Sequence, residues 1–186
     1  MSSATTALST GLAQWEIDPA HSSVQFAVRH MMVSNVRGEF TKLSGTVQID
    51  TRDITRSSVH AVIDAASIST RDEQRDQHLR SPDFLDVAAF PTIEFHSTRV
   101  TRDSSGALRV AGDLTIHGVT REVVLDVEDS GSELRDPWGN TKRGASATTR
   151  VNRKDYGLRW NVALETGGFV VGDELKIEID VELLKK

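Results

Sequence analysis

Apolar and polar residues alternate along most of this chain. From Ser22, Val24, Phe26, Val28 and His30 share one phase, with Ser23, Gln25, Ala27 and Arg29 on the other. A period of two marks a strand, whose successive side chains point to opposite faces. The same pattern returns at Val47 and Ile49, at Val59, Ala61, Ile63 and Ala65, and at Ile93 and Phe95. It continues through Leu108, Val110, Gly112, Leu114 and Ile116, then Val123, Leu125 and Val127, then Ala145, Ala147, Thr149 and Val151. Leu175, Ile177, Ile179, Val181 and Leu183 form the cleanest strand, their other phase being Glu174, Lys176, Glu178, Asp180 and Glu182. A short strand from Trp15 ends at Pro19, and Gly38 marks a bend or bulge in a strand running to Phe40. Asp103-Ser104-Ser105-Gly106 and His117-Gly118 read as turns, and Asp136-Pro137-Trp138-Gly139-Asn140 reads as a loop. The count is roughly eight to ten strands, joined mostly by short turns and therefore mostly antiparallel.

One stretch breaks the alternation. Thr70 to Asp86, TRDEQRDQHLRSPDFLD, is the only convincing helical segment. Thr70 with Glu73 three residues on reads as a capping box, and Ser81-Pro82 as a second helical start. The first piece is polar except for Leu79 and should face water, whereas Phe84 and Leu85 on the second should be buried. A short lid among long strands suits the end of a β-structure.

One apolar face per strand, the other charged, describes a sheet wet on one side and closed around something on the other. The reading is all-β: an extended antiparallel eight-stranded barrel with a short helical segment near residues 71–86. A closed barrel removes the exposed edges that so long a sheet would carry, and a two-sheet sandwich is the competing architecture. Eight strands enclose either a side-chain core or one small ligand. Small inward positions at Ala61, Gly112, Ala145 and Ala147 among bulky ones suit a cavity, but periodicity does not separate a hollow barrel from a filled one.

Composition narrows the chemistry. The formal net charge is -5 and no long basic run is present, so nucleic acid is not an expected partner. No apolar run approaches the ~20 residues of a membrane helix. Residues 1–14, small and polar, read as a disordered tail without the features of a secretory signal, residues 15–186 as one domain, and the protein as cytoplasmic. There are no cysteines, which removes thiol catalysis, disulfides and thiolate metal sites. No nucleophile elbow, phosphate loop, zinc helix or dinucleotide fingerprint occurs, so no catalytic residue, cofactor or metal site is expected. Six histidines remain: His21, His30, His60, His78, His96 and His117. None is spaced i, i+4 on a helix; His30 shares the apolar phase, while His60, His96 and His117 fall on the polar phase. Arg75 and Arg80 could hold an anionic head group at a pocket mouth, or belong to a solvated charged face. Arg153 and Tyr156 could serve a site or a polar turn.

Several long stretches resemble the YceI-like family of polyisoprenoid-binding proteins. They are DPAHSSVQFAVRHMMVSNVRGEF, IDAASISTRDEQRDQHLRSPDFLDVAAFPTIEF and VAGDLTIHGVTREVVLDV, followed by NRKDYGLRW and VGDELKIEIDVEL. The likeness runs from about Trp15 to Leu184. It implies a lipocalin-like barrel, an apolar tunnel for an isoprenoid chain, a quinone or another amphiphile, a homodimer, and binding rather than catalysis. Many relatives carry a secretion signal and work in the periplasm, and this sequence shows none. On this view Phe26, Val28, Phe40, Phe84, Phe90, Phe95, Leu114, Tyr156 and Trp160 line the tunnel, with His30, Arg75 and His78 near the head group. Two other readings stay open: a haem- or metal-linked redox or enzymatic protein using barrel histidines, and a filled barrel acting as an interaction module.

Overall fold

A computed structural model describes residues 11–129, 131–165 and 167–186. The strands are β1 (Leu12–Ile17), β2 (Ser23–His30), β3 (Ser34–Phe40), β4 (Leu43–Asp50), β5 (Ser58–Asp64), β6 (Ile68–Ser69), β7 (Thr92–Arg102), β8 (Leu108–Ile116), β9 (Val119–Asp129), β10 (Leu134–Arg135), β11 (Thr141–Asn152) and β12 (Val171–Lys185). One α-helix, α1 (Glu73–Arg80), lies between β6 and β7.

Eight strands close into an antiparallel barrel in the order β11-β9-β8-β7-β5-β4-β1-β12, and β12 returns to β11. The seam strand β12 lies along β11 from Glu174 to Leu184. Its other edge is divided: Leu183–Lys185 pair with β1, and Val171–Asp180 pair with β2. Beyond that division β2, β3 and β6 form a wing outside the closed circuit. The barrel expected from the alternation is therefore present, and the sandwich is not.

The turn signals act as read. Asp103 Oδ1 accepts hydrogen bonds from the backbone N–H of Ser105 and of Ala107, and Gly106 takes φ 91°. His117 and Gly118, at φ 51° and 71°, make the two-residue β8–β9 connection. Other expectations need correction. Gly38 makes no bulge, because β2 and β3 keep register through it, Phe26 opposite Gly38. What it supplies is room: a Cβ there would meet the Phe26 ring at 2.4 Å. The alternation read from Val59 through Ala65 stops at Asp64, and a 3-10 turn takes up Ala65–Ser67. β1 begins at Leu12, three residues before the expected strand, and the first ten residues of the tail lie outside the described residues.

The helix starts later than the capping-box pattern predicts. Asp72 is the N-cap, its carboxylate accepting from Arg75 N at 3.1 Å. Thr70 instead gives its N–H and hydroxyl to Asp76 Oδ1, at 2.9 and 2.5 Å. A short aspartate captured the cap because it stands one residue before the first turn. No second helix follows Ser81-Pro82. Ser81 closes α1, its Oγ donating to His78 O at 2.7 Å, and the next residues form turns. Phe84 and Leu85 on those turns are buried, as expected.

The buried apolar side chains form two packed groups. Phe26, Ala65, Ile68, Leu85 and Tyr156 gather with Ile93 and Ile116 at the helix end. Trp15, Ile17, Val24, Leu43 and Leu183 pack at the seam, and Trp15 is fully buried.

Candidate functional site

The inward phase of the barrel strands surrounds a cavity rather than a filled core. Its volume is about 220 Å³. Leu108, Val110, Leu114 and Ile116 of β8 line it over the strand's whole length, a run of roughly 27 Å at ~3.4 Å per residue. Val123, Leu125 and Val127 of β9 face it, as do Ala145 and Ala147 of β11 and Ile177, Ile179 and Val181 of β12. Val47, Val59, Ala61, Ile63 and Ile93 complete the wall from β4, β5 and β7. These are the residues whose alternation announced the strands. The small side chains at Ala61, Ala145 and Ala147 leave the space that leucines would fill.

The charged groups in this lining are Asp129 and Arg143, and they hold each other. Arg143 Nε donates to Asp129 Oδ1 at 2.9 Å, and a second guanidinium nitrogen bonds to Oδ2. Asp129 Oδ1 also accepts from Gly131 N at 3.1 Å. Burial pushes the Asp129 carboxyl up, but the Arg143 and Gly131 hydrogen bonds outweigh it and leave the pKa below the ordinary 3.8. The bond to Asp129 raises the guanidinium in turn, against its burial. The fork geometry makes this a bidentate, charge-assisted pair. Sequence reading missed both residues because, although they continue the odd-numbered inward phase of β9 and β11, they are charged and stand beyond its last apolar member.

Of the twelve expected site residues, Phe40, Phe95 and Leu114 line this cavity. The other nine lie outside its lining. Phe26 stacks in the helix-end core with its ring 5.9 Å from Phe40. Val28 and His30 sit on the β2 half that leaves the barrel, opposite Val36 and Ser34 of β3. His78, Phe84 and Trp160 come together as an aromatic group, His78 edge-on to both rings at 5.1 and 4.7 Å. Phe90 packs on His117 at 4.6 Å. Arg75 is occupied by Thr70, donating to its hydroxyl at 2.7 Å and its carbonyl at 3.1 Å. Arg80 likewise donates to the carbonyls of Ala66 and Ile68, so both arginines fasten α1 to the β6 segment.

Tyr156 is buried at 2% exposure in the 3-10 turn Arg153–Tyr156, and its hydroxyl has no hydrogen-bond partner among the described residues. Burial, aided by Asp155, pushes the phenol up to about 12. Arg153, at the start of the same turn, donates to the carbonyls of Gly172, Leu158 and Trp160. It therefore shapes the loop that carries Trp160.

Comparison with known proteins follows this architecture. The model of the YceI-like domain matches residues 15–183. A UPF0312 protein of Staphylococcus aureus is 38% identical over 171 residues, which are 92% of this chain and 97% of the relative. Among solved structures, BcnA of Burkholderia cenocepacia superposes with a TM-score of 0.71 at 23% identity, covering 89% of this chain and 98% of that one. The YCEI protein of Campylobacter jejuni gives 0.69 at 27%, covering 85% and 90%. A polyisoprenoid binding domain from Saccharophagus degradans gives 0.64 at 16%, covering 92% and 98%. With a closed antiparallel barrel around an apolar cavity and a family match spanning nearly all of it, this chain belongs to the YceI-like family.

Proposed function

We propose that this protein binds an isoprenoid lipid or a similar amphiphile, such as a polyprenyl chain or quinone, inside the barrel, for carriage, storage or sequestration. The observation that carries the reading is the long cavity whose wall is apolar apart from a few hydroxyls and one closed ion pair. Burying an apolar chain gains ~0.8 kcal/mol per carbon, so each five-carbon unit offers about 4 kcal/mol before ordering costs. Those costs and a practical affinity ceiling hold the net value well below the sum. Such a site needs length and dryness. The solved relative from Saccharophagus degradans, described as a polyisoprenoid binding domain, supports the same ligand class. Binding without catalysis is the better-supported mode, because the ionisable groups of the lining are an aspartate and an arginine already bonded to each other.

Native mass spectrometry of the purified protein, followed by solvent extraction, tests this directly. A bound mass built of C₅ units is the expected result. An empty protein that also refuses added polyprenyl lipid and quinone overturns the proposal. Ala147→Trp should fill the cavity beside Val127 and Ile179 and abolish uptake in a folded protein. Val28→Trp, on the wing, should leave uptake intact. The homodimer belongs to the same proposal, and the mass of the folded species in that spectrum decides it.

A further inference from the structure

The outer face of the barrel carries a group of side chains that the lipid reading does not use. His60 on β5 and His96 on β7 are direct cross-strand partners. Their odd-numbered neighbours Val59, Ala61, Ile93 and Phe95 face the cavity, so the two imidazoles point outward. They stack with centroids 4.1 Å apart and planes 15° from parallel. Glu94, two residues before His96 on the same face, places its Oε2 3.6 Å from His96 Nε2. Thr92 Oγ1 donates to the other carboxylate oxygen at 3.0 Å and steadies it.

We propose that His60, Glu94 and His96 form a surface site for a divalent late first-row metal ion, with Zn²⁺ as the test ion. The donor set, two imidazoles and one carboxylate, is one that zinc accepts, leaving a further position for water. One ligand atom from each residue lies within 4.8 Å of the others. Around a tetrahedral zinc with bonds of ~2.0 Å, ligand atoms stand roughly 3.3 Å apart. Side-chain rotation closes that difference, and the paired strands already hold the backbone in place. The surroundings favour a cation. Asp113 on β8 is the cross-strand partner of His96, and Glu122 on β9 is the partner of Asp113, so the same outer row turns acidic. Among the described residues no lysine or arginine forms an ion pair with Glu94.

A second group makes the contrast. Asp18, His21 and Glu182 also converge. There Lys142 Nζ lies 2.5 Å from Glu182 and 3.7 Å from Asp18. Its ammonium already supplies the positive charge, and the hydrogen bond to Glu182 raises its pKa despite desolvation. That site is filled by the protein itself, whereas the β5–β7 site is not.

A bound ion would staple β5 to β7, whose inner faces supply Ala61 and Phe95 to the cavity wall. Calorimetric titration of the full chain with zinc chloride at neutral pH, paired with thermal melting, tests the proposal. One saturable equivalent and a rise in Tm with zinc are expected. His60→Gln or His96→Gln should weaken binding about tenfold or more and remove the Tm rise. Both positions are on the barrel's outer face, so their zinc-free melting should match the parent. His21→Gln should change neither readout. No saturable uptake, undiminished uptake in both His60→Gln and His96→Gln, or loss of uptake in His21→Gln instead would each overturn the site.

Discussion

Tyr156 shows how a single side chain departs from its expected role. The tunnel reading, which rests on the apolar alternation and the family likeness, puts it on the wall with Leu114 and Trp160. The structure seats it in the core at the helix end, its hydroxyl without a partner. An unsatisfied buried hydroxyl costs about 1–3 kcal/mol. Tyr156→Phe should therefore hold or raise stability in denaturant at neutral pH, by about 1 kcal/mol. Its titration has a definite sign. The folded pKa of about 12 lies above the ordinary 10.0, so the neutral form is the one folding favours. Its contribution is complete below pH 10 and is lost as the pH climbs toward 12. Alkaline melting should show that loss in the parent and not in Tyr156→Phe. Tyrosinate absorbance reports this residue alone, and an ordinary titration midpoint in the folded protein would contradict the burial.

At the scale of elements, α1 is held by its polar residues rather than by an apolar face. Asp76, 4% exposed, accepts both bonds from Thr70. Asp76→Ala orphans two donors and should lower stability by about 2 kcal/mol or more. Asp76→Asn, which keeps an acceptor oxygen, should lose less; equal losses in urea unfolding would refute the hydrogen-bond account. The sequence made the helix legible through its lost alternation but misplaced its cap, since Thr70 and Asp72 are both competent caps and only tertiary packing chooses. Strand phases were legible for a firmer reason. One residue of slip would turn Leu108, Val110 and Leu114 out to water, so the apolar set specifies its own face. Cross-strand partners were not legible. His60 and His96 meet through a register that no local spacing encodes.

At the scale of the molecule, alternation made a closed barrel legible but left open whether it is hollow, and the family likeness supplied the tunnel. The location of the wall did not follow, because period two alone does not reveal that β12 shares one edge between β1 and β2. That division takes Val28 and His30 away from the cavity. The assembled barrel also sets the acid limit of stability. Asp18, Asp50, Asp129 and Asp136 all titrate below the ordinary 3.8. The His21 hydrogen bond leads for Asp18, the Arg52 backbone bond for Asp50 and the Asn140 bond for Asp136, while at Asp129 the Arg143 bond prevails over burial. Carboxyls lowered in the folded state add stability that is present above 3.8 and is lost as the pH falls through their folded values. Tm should be level from neutral pH down to about pH 5 and fall steeply below about pH 4, with a shallower fall in Asp129→Asn.

The divided edge of β12 also has a meaning in time. Trp15 pairs with Lys185, and Val28 with Leu175, so the strands that open the described chain are joined to the one that ends it. Contacts between such distant segments form late and slowly. A nascent chain halted before Val171 would present β11, β1 and β2 with unpaired edges and the future cavity wall in plain water, a state prone to aggregation. Inside and outside would then be created together, at the moment the last strand docks.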